Sequence, residues 1–245
     1  MDLIPMTTST EIAAQTPTVA VLPVGSFEQH GSHLPLATDT IIAAAIATSI
    51  AARYNVLVLP PITVSCSHEH AAWPGTVSIS HKTLSAIVED IRDSLANNGI
   101  TRLAIVNGHG GNYVLSNIVQ TANASKPGVM TLFPTRADWD QARAAADLET
   151  DAHRDMHAGE LEVSILLHSC PDAVRPGVAQ GDHLADERAM LLVHGMGAYT
   201  QTGVIGQPSA ANREKGHALL HSLTEAFGRH LSAMGVERQS SAGRW

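Results

Sequence analysis

Four apolar runs punctuate the chain, at Val19–Val24, Val56–Leu59, Leu103–Val106 and Val129–Phe133. They are short, rich in β-branched residues and continuous rather than alternating, which is the pattern of strands covered on both faces in a parallel sheet. Between them lie longer stretches with helical spacing. The pattern predicts helices over Ala43–Arg53, over His81–Ala96 with Leu84, Ile87, Val88, Ile91 and Leu95 on one face, and over Asn112–Ala124. A last amphipathic helix is predicted over Arg213–Met234, with Leu219, Leu220, Leu223, Phe227 and Leu231 at helical spacing. Strands alternating with helices imply an α/β fold, here a three-layer α/β/α arrangement on a mostly parallel central sheet. Arg136–Ala146, Ala-rich and polar, and Asp172–Asp186, rich in Pro, Gly and charge, read as surface excursions, and Gln239–Trp245 reads as a frayed tail. No internal repeat or convincing boundary interrupts the 245 residues, so a single domain over 1–245 is expected.

Charge narrows the partners. The formal net charge is −8, with no run of Lys or Arg, so the electrostatic footprint of a nucleic-acid or anionic-membrane binder is missing. A small neutral or zwitterionic ligand fits better. Cys66 and Cys170 are the only cysteines and form no CxxC pair, which points away from a disulfide framework and towards a reducing cytoplasm. Nothing resembles an export signal or approaches the roughly 20 apolar residues of a membrane span.

The candidate chemistry sits where strands end. After the first run comes Gly25-Ser26-Phe27-Glu28-Gln29-His30-Gly31-Ser32-His33-Leu34-Pro35-Leu36-Ala37-Thr38-Asp39. Glu28 and His30 are two apart, so an extended backbone sends both side chains to the same side, where one ion or a close pair of ions could be met. Asp39 closes the loop, either as a ligand or as a helix cap with Thr38. A second loop, Asn107-Gly108-His109-Gly110-Gly111-Asn112, leaves another strand and enters another helix. Gly110 and Gly111 let backbone approach a ligand closely, and the loop could also cradle phosphate at a helix N-terminus. It lacks the Lys-Ser or Lys-Thr pair and the GxGxxG spacing of nucleotide loops.

Two further clusters are weaker. In Asp155-Met156-His157-Ala158-Gly159-Glu160-Leu161-Glu162 the acids suit a helix N-terminus through the macrodipole alone, yet His157 and Glu162 flank a small-residue break that could bring backbone close to a site. In Ser67-His68-Glu69-His70-Ala71-Ala72-Trp73-Pro74-Gly75-Thr76, His70 and Trp73 read as substrate-pocket residues rather than metal ligands. Ser26 is not in a GxSxG elbow, so serine hydrolase chemistry has little support.

Taken together, these loops resemble the creatininase (creatinine amidohydrolase) family. The resemblance covers Leu22 to Asp39, Trp73-Pro74-Gly75-Thr76, Asn107 to Asn112 and His157 to Ser164. It implies a dinuclear site, with Glu28, Asp39 and His109 around one divalent ion, His30 and Asp39 around the other, and Asp39 bridging. Where creatininase itself follows the loop histidine with Tyr and a ligating Glu, this chain has Gly110 and Gly111, and Glu162 is the candidate replacement ligand. Creatininase also clamps its substrate with a Trp-Asp pair, and here those positions are His153 and Arg154, which speaks against creatinine as the substrate. The Asp155–Gly159 segment and Thr202-Gly203-Val204-Ile205-Gly206 look more like the creatininase-like peptidases of mycofactocin maturation. The resemblance further implies a homo-oligomer, with hexamers common in the family.

The implied chemistry is hydrolysis of a linear or cyclic amide, in a small molecule or a short peptide, by metal-activated water. His157 is the expected proton donor to the leaving nitrogen, titrating near neutrality, with Glu162 as ligand or proton relay. Zinc is the first expectation for the metal, and manganese and iron also suit mixed N/O ligands. The alternatives are a peptidase acting on a short precursor in cofactor or natural-product maturation, a metal-dependent lyase or isomerase, and a metal-binding protein without turnover.

Overall fold

A computed structural model describes residues 3–236. The expected fraying of Gln239–Trp245 lies outside the described residues. The elements are α1 (Ser9–Gln15), β1 (Val19–Val24), α2 (Thr38–Arg53), β2 (Leu57–Val58), α3 (His81–Asn97), β3 (Arg102–Asn107), α4 (Val114–Ser125), β4 (Met130–Phe133), α5 (Arg136–Ala145), α6 (Glu160–Ser169), α7 (Leu191–His194) and α8 (Arg213–Ala233). The sheet has four strands in the order β2-β1-β3-β4, and every pairing is parallel.

Why the strands read as continuous apolar runs is visible in β1, all of whose residues are buried. Val19 and Val21 point into one apolar cluster, with α2, α5, α6 and α8, while Ala20, Leu22 and Val24 point into a second, with α3 and α4. Those clusters are the two outer layers' contacts with the sheet. Helix α2 lies deepest: its stretch from Thr38 to Ala47 is buried throughout, which explains why Ile41-Ile42-Ala43-Ala44-Ala45-Ile46 has no polar face. In α8 the predicted stripe holds, with Leu219, Leu220, Leu223, Phe227 and Leu231 all buried.

Arg136–Ala146 is not a surface excursion. It forms α5, started by a capping box in which Thr135 and Asp138 satisfy each other's backbone N–H groups and anchored by buried Ala142. Its Ala-rich composition favours helix intrinsically, and its predominantly polar residues around buried Ala142 made the segment read as surface.

β1 and β3 pair in register from Val19↔Arg102 to Val24↔Asn107. Their following loops therefore leave the sheet side by side, at the point where the chain order reverses from β1–β2 to β3–β4. In open α/β sheets this is where a crevice forms at the carboxyl ends of the strands.

Candidate metal centre

Two glycines let α2 come down onto that point. A Cβ on Gly25 would overlap the Thr40 backbone, and one on Gly108 would overlap the carbonyl of Asp39. Asp39 thus enters the space between the two strand-end loops. It does not cap the helix: the N-cap is Ala37, without a side-chain cap, and Thr38 Oγ1 donates to the Pro35 carbonyl instead. Asp39 Oδ2 accepts from Ser26 Oγ at 2.7 Å and lies 3.1 Å from His109 Nδ1, while Oδ1 lies 3.0 Å from His30 Nε2. One carboxylate therefore faces two imidazoles with different oxygens, the disposition a bridging ligand needs.

The outer nitrogens of three histidines are held by backbone carbonyls. His30 Nδ1 donates to the Glu28 carbonyl at 3.0 Å, His109 Nε2 to that of Cys66 at 3.0 Å, and His157 Nε2 to that of Gln29 at 2.7 Å. In the neutral ring the inward nitrogen is then the unprotonated one. Each inward nitrogen meets carboxylate oxygen: His30 Nε2 faces Asp39 and, at 3.8 Å, Glu162 Oε2, and His109 Nδ1 faces Asp39 and, at 3.2 Å, Glu28 Oε1. Lone pairs opposed to lone pairs at such distances require a proton or a cation between them.

Glu28 makes the same demand more sharply. It is fully buried, and neither carboxylate oxygen has a hydrogen-bond partner. Yet Oε1 stands 3.2 Å from His109 Nδ1 and 3.9 Å from His157 Nδ1, both without a hydrogen in the neutral ring, and 3.2 Å from His70 Nε2. Leaving a buried carboxylate unpaired costs several kcal/mol, so these atoms fit a cation. Among the described residues, Glu28, Asp39 and His109 form one group whose ligand atoms lie within 4.8 Å of one another, and His30, Asp39 and Glu162 form another. Glu28, His30 and His157 form a third. The fit is to oxygen and imidazole donors with no thiolate, suited to zinc, manganese or iron.

The electrostatics agree. Burial disfavours the charged His30 ring, but Asp39, Glu162 and Glu28 outweigh it and push the pKa up to about 9. His109 is likewise raised well above the usual histidine range by Glu28 and Asp39 against the cost of burial. Burial would raise Asp39, and the neighbouring His30 and His109 hold it well below the usual carboxylate range. Without an ion, the pocket draws protons onto its histidines. His157 goes the other way, pushed well down by burial and by His30 and His70, so its ring is neutral at pH 7. The group poised near neutrality is Glu162, raised by burial to about 7.

Opposite the strand-end loops, α6 starts under tight control. Asp155 accepts from the backbone N–H of Glu160 at 2.6 Å and of Leu161 at 3.0 Å, and a Cβ on Gly159 would collide with it. Arg143 of α5 donates to Asp155 at 3.2 Å. Glu160 is fully buried, accepting from the N–H groups of Glu149 and Thr150, from Thr150 Oγ1 and, at 2.7 Å, from Lys215 Nζ. The backbone of His157 pairs with Ile205, which gives the Thr202–Gly206 segment its place. Between this side and the strand ends opens a cavity of about 270 Å³, lined by His109, Gly110, His157 and Glu162 on the cluster side and by Trp139 and Met156 opposite.

The structure brings Glu28, His30, Asp39, His109, His157 and Glu162 together. His70 is also drawn in, 2% exposed and packed against Glu28 and His157 rather than lining the cavity. Gly110 lines the cavity, whereas Gly111 faces a separate depression beside Glu69. Trp73 lies outside the cavity, half-buried. So do His153 and Arg154, both exposed, with His153 Nε2 bonded to the Asp186 carbonyl. Two contributors escaped sequence reasoning. Trp139 sits in the segment read as an excursion. Gln29 sits inside the first motif, and its amide nitrogen donates to His70 Nδ1 at 3.0 Å and to the Gly203 carbonyl at 3.1 Å. Since those two bonds use both amide hydrogens, the tautomer of His70 is set along with that of His157.

With this geometry in place, similarity to known proteins becomes decisive. A family model described as creatinine amidohydrolase matches residues 5–231. The chain belongs to the creatininase family. It is 34% identical over 225 residues to the mycofactocin precursor peptide peptidase of Mycolicibacterium smegmatis, covering 88% of this chain and 85% of that one. Its match to the creatinine amidohydrolase of Pseudomonas putida is 35% identical over 96 residues, covering 37% of each chain. The solved manganese form of creatininase superposes with a TM-score of 0.76 at 25% identity, over 92% of this chain and 95% of that one. This protein is thus a creatininase-family amidohydrolase, a hydrolase of carbon–nitrogen amide bonds, on a three-layer α/β/α fold.

Proposed function

We propose that this chain is a dinuclear metal-dependent peptidase that cleaves an amide bond in a short peptide, of the kind processed during cofactor or natural-product maturation. The observation that carries the metal part is Glu28, buried, unbonded and in reach of imidazole nitrogens on three sides. Glu28, Asp39 and His109 would hold one ion, and His30, Asp39 and Glu162 the other, with Glu162 standing in for an acid absent at Gly111. Divalent ions in such a site polarise an amide carbonyl and acidify water. The mixed donor set and the manganese form of creatininase support zinc or manganese.

The chain's own residues supply the rest. His157, its Nε2 tied to the Gln29 carbonyl, presents Nδ1 to the cluster; its lowered pKa makes it a weak base at rest and, once charged, a ready proton donor to the leaving nitrogen. Glu162 Oε2 accepts from Ala158 N–H at 2.7 Å, which keeps the acid fixed at the edge of the cavity. Trp139 gives the substrate an apolar wall. The far end of the cavity reaches Arg136 and Asp140, whose side chains are 82% and 53% exposed, so a peptide has a way out to solvent. The extent of the match to the mycofactocin precursor peptide peptidase, against the partial match to creatinine amidohydrolase, supports a peptide over creatinine.

This reading includes a cytoplasmic homo-oligomer. Free Cys66 and Cys170 suit a reducing compartment, and exposed Tyr113, Leu192 and Val193 suit burial against another subunit. No described helix is long and apolar enough to cross a membrane.

The test is hydrolysis in ¹⁸O-water, with zinc- or manganese-loaded protein, a panel of short peptides, and creatinine as control. Solvent oxygen in a new peptide carboxylate, with creatinine untouched, is the expected result. Metal-loaded protein that cleaves no member of the panel would leave a metal-binding protein without turnover, and the proposal would fall.

A further inference from the structure

One acid beside the cluster has no part in the scheme above. Glu69, in the 3-10 turn His68–His70, is mostly buried, its side chain 15% exposed. Among the described residues it belongs to none of the three ligand groups. Its Oε1 lies 3.4 Å from His109 Nε2, the nitrogen turned away from Glu28 and Asp39. The Cys66 carbonyl is 3.0 Å from the same nitrogen and takes its hydrogen, so the Glu69 carboxylate stands beside that N–H as a neighbouring negative charge.

The neighbouring loop is shaped around this contact. A Cβ on Gly111 would overlap both Glu69 Oε1 and His109 Nε2, whereas one on Gly110 would meet nothing within 4 Å. Only position 111 is constrained in this way, and any side chain there would evict the Glu69 carboxylate. The carbonyl of Cys66 is enough to choose the tautomer of His109. A carboxylate adds two things: negative charge that makes Nδ1 a stronger donor, and a second fixed point against rotation of the ring.

We propose that Glu69 is a positioning residue of the metal centre, an outer carboxylate that occupies the volume vacated at Gly111 and holds His109 Nδ1 onto the ion shared with Glu28 and Asp39. The inference rests on the dinuclear reading above. Outer carboxylates on ligating histidines raise metal affinity, and their loss costs about 10- to 100-fold.

The test compares the whole chain with its Glu69→Ala and Glu69→Gln variants. Zinc affinity is read by competition with a chromophoric chelator, the d–d absorption of the cobalt-loaded proteins reports coordination, and the melting midpoint of chelator-stripped protein reports packing. The expected result is a loss of zinc affinity of about 10- to 100-fold in Glu69→Ala, a smaller loss in the nearly isosteric Glu69→Gln, altered cobalt bands in both, and an unchanged metal-free midpoint. Affinity within twofold of wild type in Glu69→Ala overturns the proposal. So does wild-type affinity in Glu69→Gln combined with a lowered metal-free midpoint in Glu69→Ala, which makes the role one of packing. A wild-type chain that binds no divalent ion would instead sink the metal reading itself.

Discussion

The two sides of the cavity are built on different principles. On the strand-end side, Glu28, Asp39 and His109 sit on loops that leave β1 and β3 in register, and backbone carbonyls decide which imidazole nitrogen faces inward. On the opposite side, Trp139 and Met156 depend on α5 and the chain leading to α6, the helix that also carries Glu162 to the cluster, and side-chain pairs such as Arg143–Asp155 and Lys215–Glu160 join these segments. The first side has its geometry imposed by the sheet. The second is held by charge, and its wall residues can be changed without touching the strand-end ligands, whereas Glu162 of α6 belongs to both the wall and the ligand groups.

The largest effect should come from the strand-end side. Asp39→Ala removes the carboxylate common to both ion groups and should abolish stoichiometric metal binding by elemental analysis, with hydrolysis down at least about 10³-fold, roughly 4 kcal/mol of barrier. Retained metal and activity in that variant would refute the bridging role. Next, Trp139→Ala should leave metal content intact while lowering kcat/KM about 10- to 100-fold, the loss of roughly 1.5–3 kcal/mol of apolar contact. If it instead strips metal, the two sides are not independent.

Glu160→Gln should act on stability rather than metal, lowering the unfolding free energy by about 1.5–3 kcal/mol in urea melts. The pH dependence has a definite sign. Burial works against the charged Glu160, but bonds from Lys215 and Thr150 lower its pKa in the folded chain, so its contribution is present above the ordinary carboxylate value and fades as pH falls through the folded one. Lys215, raised by Glu160 and Glu149 against burial, contributes below the ordinary lysine value and fades above it. The variant's deficit should therefore be largest between those limits and shrink on the acid side. The smallest effect is expected of His153→Ala, whose side chain is exposed and outside the cavity. Its kcat/KM should stay within about twofold, and a larger drop would place substrate where the structure shows solvent.

What the sequence revealed follows the same division. Continuous apolar runs exposed the sheet, because burial on both faces leaves no alternation to misread, and ligand types at strand ends exposed Glu28, His30, Asp39 and His109. The opposing side was less legible. Trp139 belongs to a helix so polar overall that it reads as surface, and the role of Gln29 lies in hydrogen-bond counting across chain separations of 41 and 174 residues. Residues matched by order alone, His153 and Arg154, fell outside the cavity because the chain before Asp155 turns to the surface.

Helix α5 has a consequence for how such a protein can diverge. Its ten residues carry their own start signal in Thr135 and Asp138 and reach the core chiefly through Ala142 and a partly buried Trp139. It contributes cavity wall but no residue of the ligand groups. A lineage could therefore vary the wall residues of this one helix, altering which amide is accepted, while Arg143 keeps its hold on Asp155 and the inherited catalytic ensemble passes unchanged from one specificity to the next.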